Sequence, residues 1–233
     1  MNLPKLKRDM KKLANPAKAK VLAGFFKTGP GQYGEGDIFL GITVPLQRQL
    51  VKQYWQDLTM GDVDSLIKSK FHEERLIALL ILVKQFQSLN IKSSIFKFYL
   101  SHTKYINNWD LVDLSAPNIV GEYLIDKNRT ILFKLAKSKN LWERRIAILA
   151  TFAFIKKRDP KDSLAIAKML LADKQDLIHK AVGWMLREIG KRCGEKILTD
   201  FLDKNVLRIP RTALRYAIER LPEKKRLHYL HLT

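Results

Sequence analysis

Apolar positions along most of this chain recur every three or four residues, the spacing that places them on one face of an α-helix. The pattern predicts helices at residues 4–13, 16–26 and 43–55, and a shorter one after Thr59. Asn15 is the expected N-cap of the second helix, with Pro16 at its first position, and Thr59 is the expected cap of the fourth. From residue 70 onward every segment reads as helix, and no stretch alternates in the manner of a strand.

A Gly-rich segment, KTGPGQYGEGDIFLGIT at residues 27–43, interrupts the helical pattern near the start of the chain. It does not end in the GK[ST] of a P-loop, and no predicted strand precedes it. We therefore expect a long ordered loop, with contact to a ligand as the alternative. Shorter breaks between the later helices fall at residues 126–128, 158–160 and 205–210.

The helices repeat with a period of 35 residues. Positions at this spacing are basic in four of five cases: Arg75, Asp110, Arg145, Lys180 and Arg215. The positions two residues further on are all aliphatic: Ile77, Val112, Ala147, Val182 and Ala217. This pattern predicts an all-α, HEAT- or armadillo-like helical repeat, an α-solenoid in which it marks the second helix of each pair. We expect one domain over residues 1–233, with a helical N-terminal part at 1–69 and repeats from 70 onward.

One acidic residue, Asp113, departs from this repeat. The aligned positions hold small or apolar residues: Ala78, Ile148, Gly183 and Ile218. A carboxylate at such a position costs stability unless a cation or a hydrogen bond satisfies it. Trp109 precedes Asp113 by four residues, so the two share a helix face, and it aligns with mostly polar positions that predict partial exposure. We interpret the departure as functional; alternatively, the indole packs and the nearby acids are solvated or cap a helix.

The charge of the chain indicates its partner. There are 43 Lys and Arg against 23 Asp and Glu, a formal charge of +20, which favours a polyanion. Because 46% of the residues are hydrophobic, this charge should lie on a folded surface. The predicted DNA contacts are Arg48, Arg144, Lys180, Arg187, Arg211 and Arg215, and further basic candidates are Arg145, Lys156, Lys157, Lys191, Arg192 and Arg208.

Several classes of protein are disfavoured by the sequence. A single cysteine, Cys193, excludes an internal disulfide and a multi-cysteine metal site, and fits a reducing compartment. The charged N-terminus does not resemble a signal peptide, and the apolar runs are too short to span a bilayer. His228 and His231 have no third metal ligand nearby in sequence. We therefore expect a cytoplasmic protein without metal or cofactor.

A carboxylate beside an aromatic face suits a cationic substrate, because ring faces attract positive charge and the acid neutralises it. An N3- or N7-alkylated purine in DNA carries such a charge and is already a good leaving group. As its glycosidic bond stretches, positive charge moves onto the sugar, where an anion stabilises it. An aspartate with an ordinary pKa of about 3.9 is ionised at neutral pH and suits this role without a shift.

The sequence resembles the AlkD family of HEAT-like bacterial DNA alkylation repair glycosylases through most of its length. The similarity rests on YGEGDIFLGITVP (33–45), NNWDLVD (107–113), NLWERRIAIL (140–149), KAVGWMLRE (180–188) and PRTALRYAIE (210–219). It implies that Asp113 is the catalytic carboxylate, that Trp109 and Trp184 flank the lesion, and that Arg145 contacts a phosphate or the backbone. It also implies recognition of the damaged base without flipping it. Some relatives have two adjacent tryptophans, whereas here Asn108 precedes Trp109.

Our leading hypothesis is a monomeric, monofunctional glycosylase that releases 3-methyladenine or 7-methylguanine from double-stranded DNA in base excision repair. No lysine is marked as the nucleophile that a lyase would need. The alternative is a non-catalytic HEAT-repeat protein that binds damaged or branched DNA or RNA. A protein-binding scaffold is disfavoured by the charge of +20.

Overall fold

The computed structural model describes residues 2–232, and helices dominate this range. The helices are α1 Asn2–Leu13, α2 Pro16–Phe25, α3 Val44–Tyr54, α4 Met60–Ile67, α5 His72–Ser88, α6 Lys92–Ser101, α7 Trp109–Ala116, α8 Thr130–Ala136, α9 Leu141–Ala150, α10 Phe152–Lys156, α11 Lys161–Leu170, α12 Asp176–Arg192, α13 Glu195–Asn205, α14 Arg211–Ile218 and α15 Glu223–His231. Within residues 2–232 there is no named strand, only an isolated bridge between Ile38 and Phe71. The predicted all-α class is confirmed.

The helix starts follow from local sequence. Asn15 caps α2 by accepting the N–H of Lys18 at 3.0 Å. Thr59 and Asp62 form a reciprocal capping box at α4, in which each side chain accepts from the other residue's backbone. Both caps were predicted. By contrast, the side chain of Thr43 makes no capping bond to α3, which starts at Val44.

The pattern predicted from the 35-residue period lies on α5, α7, α9, α12 and α14. Three of these helices pack on the helix that precedes them in the repeat, α5 on α4, α9 on α8 and α12 on α11. All five aliphatic positions of the pattern are buried: Ile77, Val112, Ala147, Val182 and Ala217. This repeat-like arrangement is that of an α-solenoid; the assignment to the HEAT subclass stays a prediction.

The chain divides into two compact units, Met1–Ser115 and Ala116–Thr233. The boundary falls at the C-terminal end of α7, whereas the sequence pattern placed the start of the repeats near residue 70. The description of residues 1–233 as one domain stays a prediction.

In the first unit the Gly-rich segment is an ordered loop. Buried Glu73, on α5, accepts three successive backbone N–H groups of the loop, from Leu40 at 2.9 Å, Gly41 at 2.8 Å and Ile42 at 3.2 Å. Gly41 has a φ of +82°, and a Cβ there would overlap the carbonyl oxygen of Asn15. The backbone of the loop is thus fixed by an acid on the neighbouring helix.

In the second unit close helix packing depends on glycine. A Cβ on Gly183 of α12 would overlap the carbonyl oxygen of Ala213 and lie 2.5 Å from Cβ of Tyr216, both on α14. The same holds at Gly121, which packs against the backbone of Ala150. Of the helices described between residues 2 and 232, none has the length and hydropathy needed to cross a membrane.

Candidate active site

The Trp109–Asp113 pair lies on α7, which begins at Trp109. Asn108 is fully buried and caps this helix: its side-chain oxygen accepts the N–H of Trp109 at 2.9 Å, and its carbonyl accepts that of Val112 at 3.2 Å. Trp109 and Asp113 lie one helical turn apart on α7, and both side chains are half-buried. The predicted partial exposure of Trp109 is confirmed.

A cluster of aromatic rings fixes Trp109. Phe26 stacks on its indole with ring centroids 5.1 Å apart and an interplanar angle of 13°. Phe25 meets the indole edge-on at 6.0 Å and is itself 63% exposed. On its far side Phe26 stacks on Phe39 at 5.1 Å. The sequence reasoning missed both phenylalanines, and the only signal was the Phe-Phe pair just before the Gly-rich loop.

Behind α7 lies a buried histidine held between two carboxylates. His72, at the start of α5, is 1% exposed. Its Nε2 bonds to Asp110 at 2.8 Å and its Nδ1 to Asp37 at 3.0 Å. Burial alone would lower the pKa of His72, but the hydrogen bonds to Asp110 and Asp37 outweigh it and raise the pKa to about 9. His72 is therefore an imidazolium at neutral pH, with both ring N–H groups donating.

Asp37 connects this histidine to the Gly-rich loop and to the start of α7. It accepts from Arg75 at 2.6 Å, from Asn107 at 3.0 Å and from Asn108 at 3.3 Å. Burial would raise the pKa of Asp37, yet the hydrogen bond from His72 and the charge of Arg75 keep it below its ordinary value. We call Asp37, His72, Arg75 and Asp110 the buried ionic cluster. It joins the loop, α5 and the N-terminus of α7.

Two members of this cluster differ from the sequence prediction. The sequence pattern places Asp110 in the repeat and predicts a solvated or capping acid. It does accept the N–H of Leu111 at 2.8 Å, but it is buried and bonds His72 as well. Arg75 occupies the basic position of the repeat, but it is buried and forms an ion pair with Asp37. The basic residues at this repeat position therefore do not form a continuous exposed line of charge.

Asp113 is half-buried, and two hydrogen-bonded hydroxyl groups, those of Tyr99 and Ser115, lie buried in the same part of the fold. Tyr99 is fully buried and its hydroxyl bonds Ser115 Oγ at 2.9 Å. Burial raises the pKa of Tyr99, the bond with Ser115 opposes this, and the negative charge of Asp113 adds to the rise. Asp113 is half-buried, whereas the aligned residues of the other repeats, Ala78, Ile148, Gly183 and Ile218, are buried. The acid thus differs from its equivalents in exposure as well as in type.

Trp184 and Arg145 belong to the second unit. Trp184, on α12, is half-buried, and its ring lies 6.1 Å from that of Phe152 at an angle of 42°. The guanidinium of Arg192 lies 5.3 Å from the Phe152 ring, which makes these surroundings aromatic and basic. Arg145 is buried, and its Nη1 donates to the carbonyl of Leu177. It therefore braces the start of α12, and its contact with DNA stays a prediction.

Four of the six predicted DNA contacts have partners within the chain: Arg144 with Asp173, Lys180 with Asp176, Arg187 with Glu219, and Arg211 with the carbonyl of Leu230. The Lys180 pair is an exposed i,i+4 pair, which is weak and readily exchanged for a phosphate. Arg144 is held more firmly within the fold than Lys180, because it also donates to the carbonyls of Ser138 and Lys139. Arg48 and Arg215 are exposed and make no hydrogen bond or ion pair with other described residues.

The site has no arrangement suited to a metal ion. Within residues 2–232 no three His, Cys, Asp or Glu side chains are grouped as ligands. In the buried ionic cluster both ring nitrogens of His72 are occupied by carboxylates, so neither lone pair is available for coordination.

The helical repeats define this chain as an α-solenoid protein. The sequence matches the family described as DNA alkylation repair enzyme over residues 6–221, and the chain belongs to that family. A solved structure described as a predicted DNA alkylation repair enzyme from Enterococcus faecalis is similar, with a TM-score of 0.69 and 19% identity, covering 90% of this chain and 97% of that one. At this identity the likeness concerns the fold. No curated protein sequence matches the chain significantly. Family membership implies DNA binding and a role in the repair of alkylated DNA.

Proposed function

We propose that this protein is a monofunctional DNA glycosylase that hydrolyses the N-glycosidic bond of positively charged N3- or N7-alkylated purines in double-stranded DNA. The observation that carries the proposal is the Trp109–Asp113 pair on one face of α7, with both side chains half-buried. The family and the charge of +20 support DNA as the partner.

Asp113 is the proposed catalytic residue. When the bond between C1′ and the purine nitrogen breaks, its electron pair passes to the purine and cancels the positive charge of the ring. The base leaves neutral, and positive charge develops on the sugar. The Asp113 carboxylate stabilises that charge and orients a water molecule, whose oxygen bonds to C1′ and whose surplus proton passes to solvent.

Trp109 is the proposed contact to the cationic base. An indole face attracts a cation, and the attraction grows as water is excluded. Phe26 covers one face of Trp109 and holds the ring in place, so the side chain is positioned before DNA binds. Trp184 is proposed as a second aromatic contact from the second unit, and Arg145 as a contact to the DNA backbone.

The buried ionic cluster supports the site from behind. Asp110, Asn107 and Asn108 lie at the start of α7 and are each bonded to His72 or Asp37. An α7 terminus held at three of four consecutive residues has little freedom to shift. The spacing between Trp109 and Asp113 is therefore set by the protein and does not depend on the substrate.

The test is single-turnover excision from a duplex that contains one N7-methylguanine. The native protein should release free base and leave an abasic strand that is cut only after alkali. Asp113→Asn should slow release by about 100-fold or more while binding the duplex within about threefold of the native affinity. Asp126→Asn, at an exposed acid, is the matched control and should release base at the native rate.

Two outcomes would contradict the proposal in different ways. If Asp113→Asn excised as fast as the native protein, the role of the carboxylate would be wrong. If the native protein bound alkylated duplex and released no base from any N3- or N7-alkylated purine, the alternative of a non-catalytic binder would replace the glycosylase.

A further inference from the structure

A cavity of about 390 Å³ lies within the second unit, between α12, α13 and the C-terminal end of α14. This volume is in the range of small-molecule pockets. Its walls come only from residues between Arg187 and Leu221, so the site is complete inside one unit. The lesion-binding residues proposed above do not line it.

The cavity is lined by three cations and one acid. Arg187 and Lys191 come from α12, Arg220 follows α14, and Glu195 opens α13. The charge of Glu195 is already engaged by Lys225. Lys191 and Arg220 are exposed and make no hydrogen bond or ion pair with other residues in the described range. The surplus of positive charge around the cavity favours an anionic ligand.

Arg187 offers a donor that has no acceptor. Its Nη1 donates to Glu219, but its Nε is buried and has no hydrogen-bond partner among the described residues. A buried donor left without an acceptor is destabilising, and native structures satisfy most such groups. The guanidinium of Arg187 is thus incompletely satisfied by the described chain, and the side chain stands at the cavity wall.

The remaining wall is apolar and rigid. Leu198 and Ala217 are buried, and Leu198 presses on Gly190, where a Cβ would lie 2.7 Å from its Cδ2. The cavity therefore combines a fixed apolar surface with cationic groups. Two guanidinium groups suit phosphate better than carboxylate, because their paired N–H donors match the several oxygens of a phosphate.

We propose that this cavity binds a phosphate ester of nucleotide size. Arg187, Lys191 and Arg220 surround the phosphate, and the sugar and base extend through the open side of the cavity. The ligand is either a free mononucleotide or the 5′-phosphorylated end of a DNA strand, since both present the same phosphate monoester. The proposal is independent of glycosidic bond cleavage and concerns a cavity that Asp113 does not line.

The test measures binding of deoxyadenosine 5′-monophosphate by calorimetry, and of short 5′-phosphorylated and 5′-hydroxyl duplexes by fluorescence anisotropy, all at one fixed salt concentration. The pocket variant combines Lys191→Gln with Arg220→Gln. Its control combines Lys168→Gln with Arg8→Gln, two exposed cations that do not line the cavity, so that the net charge is matched. Circular dichroism verifies that both variants are folded.

We expect the Kd of the phosphorylated ligand to rise at least about tenfold in the pocket variant and less than twofold in the control. If the mononucleotide shows this loss, the ligand is a free nucleotide. If instead only the preference for 5′-phosphorylated over 5′-hydroxyl duplex is lost, the ligand is a strand end. The proposal is overturned if neither probe distinguishes the pocket variant from its control. Because release of a base is not measured, this outcome is separate from that of the glycosylase test.

Discussion

At the scale of single residues, Trp109 is held by neighbouring aromatic rings. Stacking on Phe26 and the edge contact from Phe25 restrict the indole from two directions. Asp113 extends from the next helical turn and is half-buried. A rigid aromatic surface beside a half-buried carboxylate can bind a cation and still admit water. Both properties are needed for hydrolysis of a charged nucleoside.

Phe25 provides a test of the aromatic surface. Because it is 63% exposed, Phe25→Ala should change the free energy of unfolding by less than about 0.5 kcal/mol. Its ring meets Trp109, and a stacking contact to a base is worth about 1–3 kcal/mol. Affinity for alkylated duplex, measured by fluorescence anisotropy, should therefore fall about fivefold or more. Val21→Ala, at a 70% exposed residue of the same helix, is the control, and equal losses in both variants would contradict the role of Phe25.

At the scale of elements, the buried ionic cluster makes the anchoring of α7 dependent on pH. His72 has a folded-state pKa of about 9 against an ordinary 6.5, so its protonated form favours the folded chain. The contribution is fully present below pH 6.5, where the histidine is protonated in both states. It falls as pH rises from 6.5 and is lost above about 9. At about 1.36 kcal/mol per pKa unit it amounts to roughly 3 kcal/mol.

We therefore expect the free energy of unfolding of the native protein, measured in denaturant, to decrease between pH 6.5 and 9. His72→Gln should be less stable at pH 6.5 and should lack most of this decrease. His228→Gln, at an exposed histidine, should keep the native pH profile. In NMR spectra His72 should titrate near 9; a midpoint near 6.5 would show that the carboxylates do not hold its proton.

The packing of α12 on α14 depends on a single glycine. Gly183→Ala places a methyl group against the backbone of Ala213 and against Tyr216, so it should lower the free energy of unfolding by about 1–3 kcal/mol. Gly24→Ala, in α2, is the matched control. A Cβ there meets no atom within 4 Å, and the change should be neutral or stabilising by up to about 1 kcal/mol. Thermal unfolding measures the stability of both variants. Equal changes in the free energy of unfolding would show that α12 and α14 can move apart at little cost.

The sequence predicted the helices and their shared buried face because both follow from local spacing. Aliphatic residues that recur with the repeat must share the buried face, and Ile77, Val112, Ala147, Val182 and Ala217 do so. The caps at Asn15 and Thr59 are also local, since each side chain bonds a backbone group three residues away. Features of this kind can be read from one chain.

The buried ionic cluster could not be predicted in this way. His72 lies 35 residues from Asp37 and 38 from Asp110, and a single sequence does not show which distant side chains meet. One signal is present in the sequence: Asp110 is the only acid among the five aligned positions, which are otherwise basic. The acid replaces a basic side chain there and supplies a partner of His72.

At the scale of the whole molecule, the charge of +20 favours any nucleic acid. It therefore supports affinity for DNA but not the choice of a damaged base. That choice is assigned to Trp109 and Asp113. The two functions should separate experimentally: salt weakens binding to all duplexes, whereas the preference for a cationic base over an undamaged one persists.

The salt dependence itself can locate the phosphate contacts. If roughly 6–10 phosphates are neutralised, log affinity for DNA should fall with log salt at a slope of about −5 to −9. Arg48→Gln and Arg215→Gln remove exposed cations without partners among the described residues, so each should reduce the size of the slope by about one and leave stability unchanged.

Arg144→Gln tests the opposite case. This arginine bonds Asp173 at 2.5 Å and two backbone carbonyls, so its loss should cost about 1–3 kcal/mol of stability and change the slope little. Anisotropy titrations at several salt concentrations, paired with denaturant unfolding, measure both quantities for each variant. A slope that changed with Arg144→Gln but not with Arg48→Gln or Arg215→Gln would mean that Arg144 exchanges its internal partners for phosphate when DNA binds. Arginines that form ion pairs within the fold would then also bind DNA phosphates. Side-chain exposure in the unbound protein would not identify the DNA contacts.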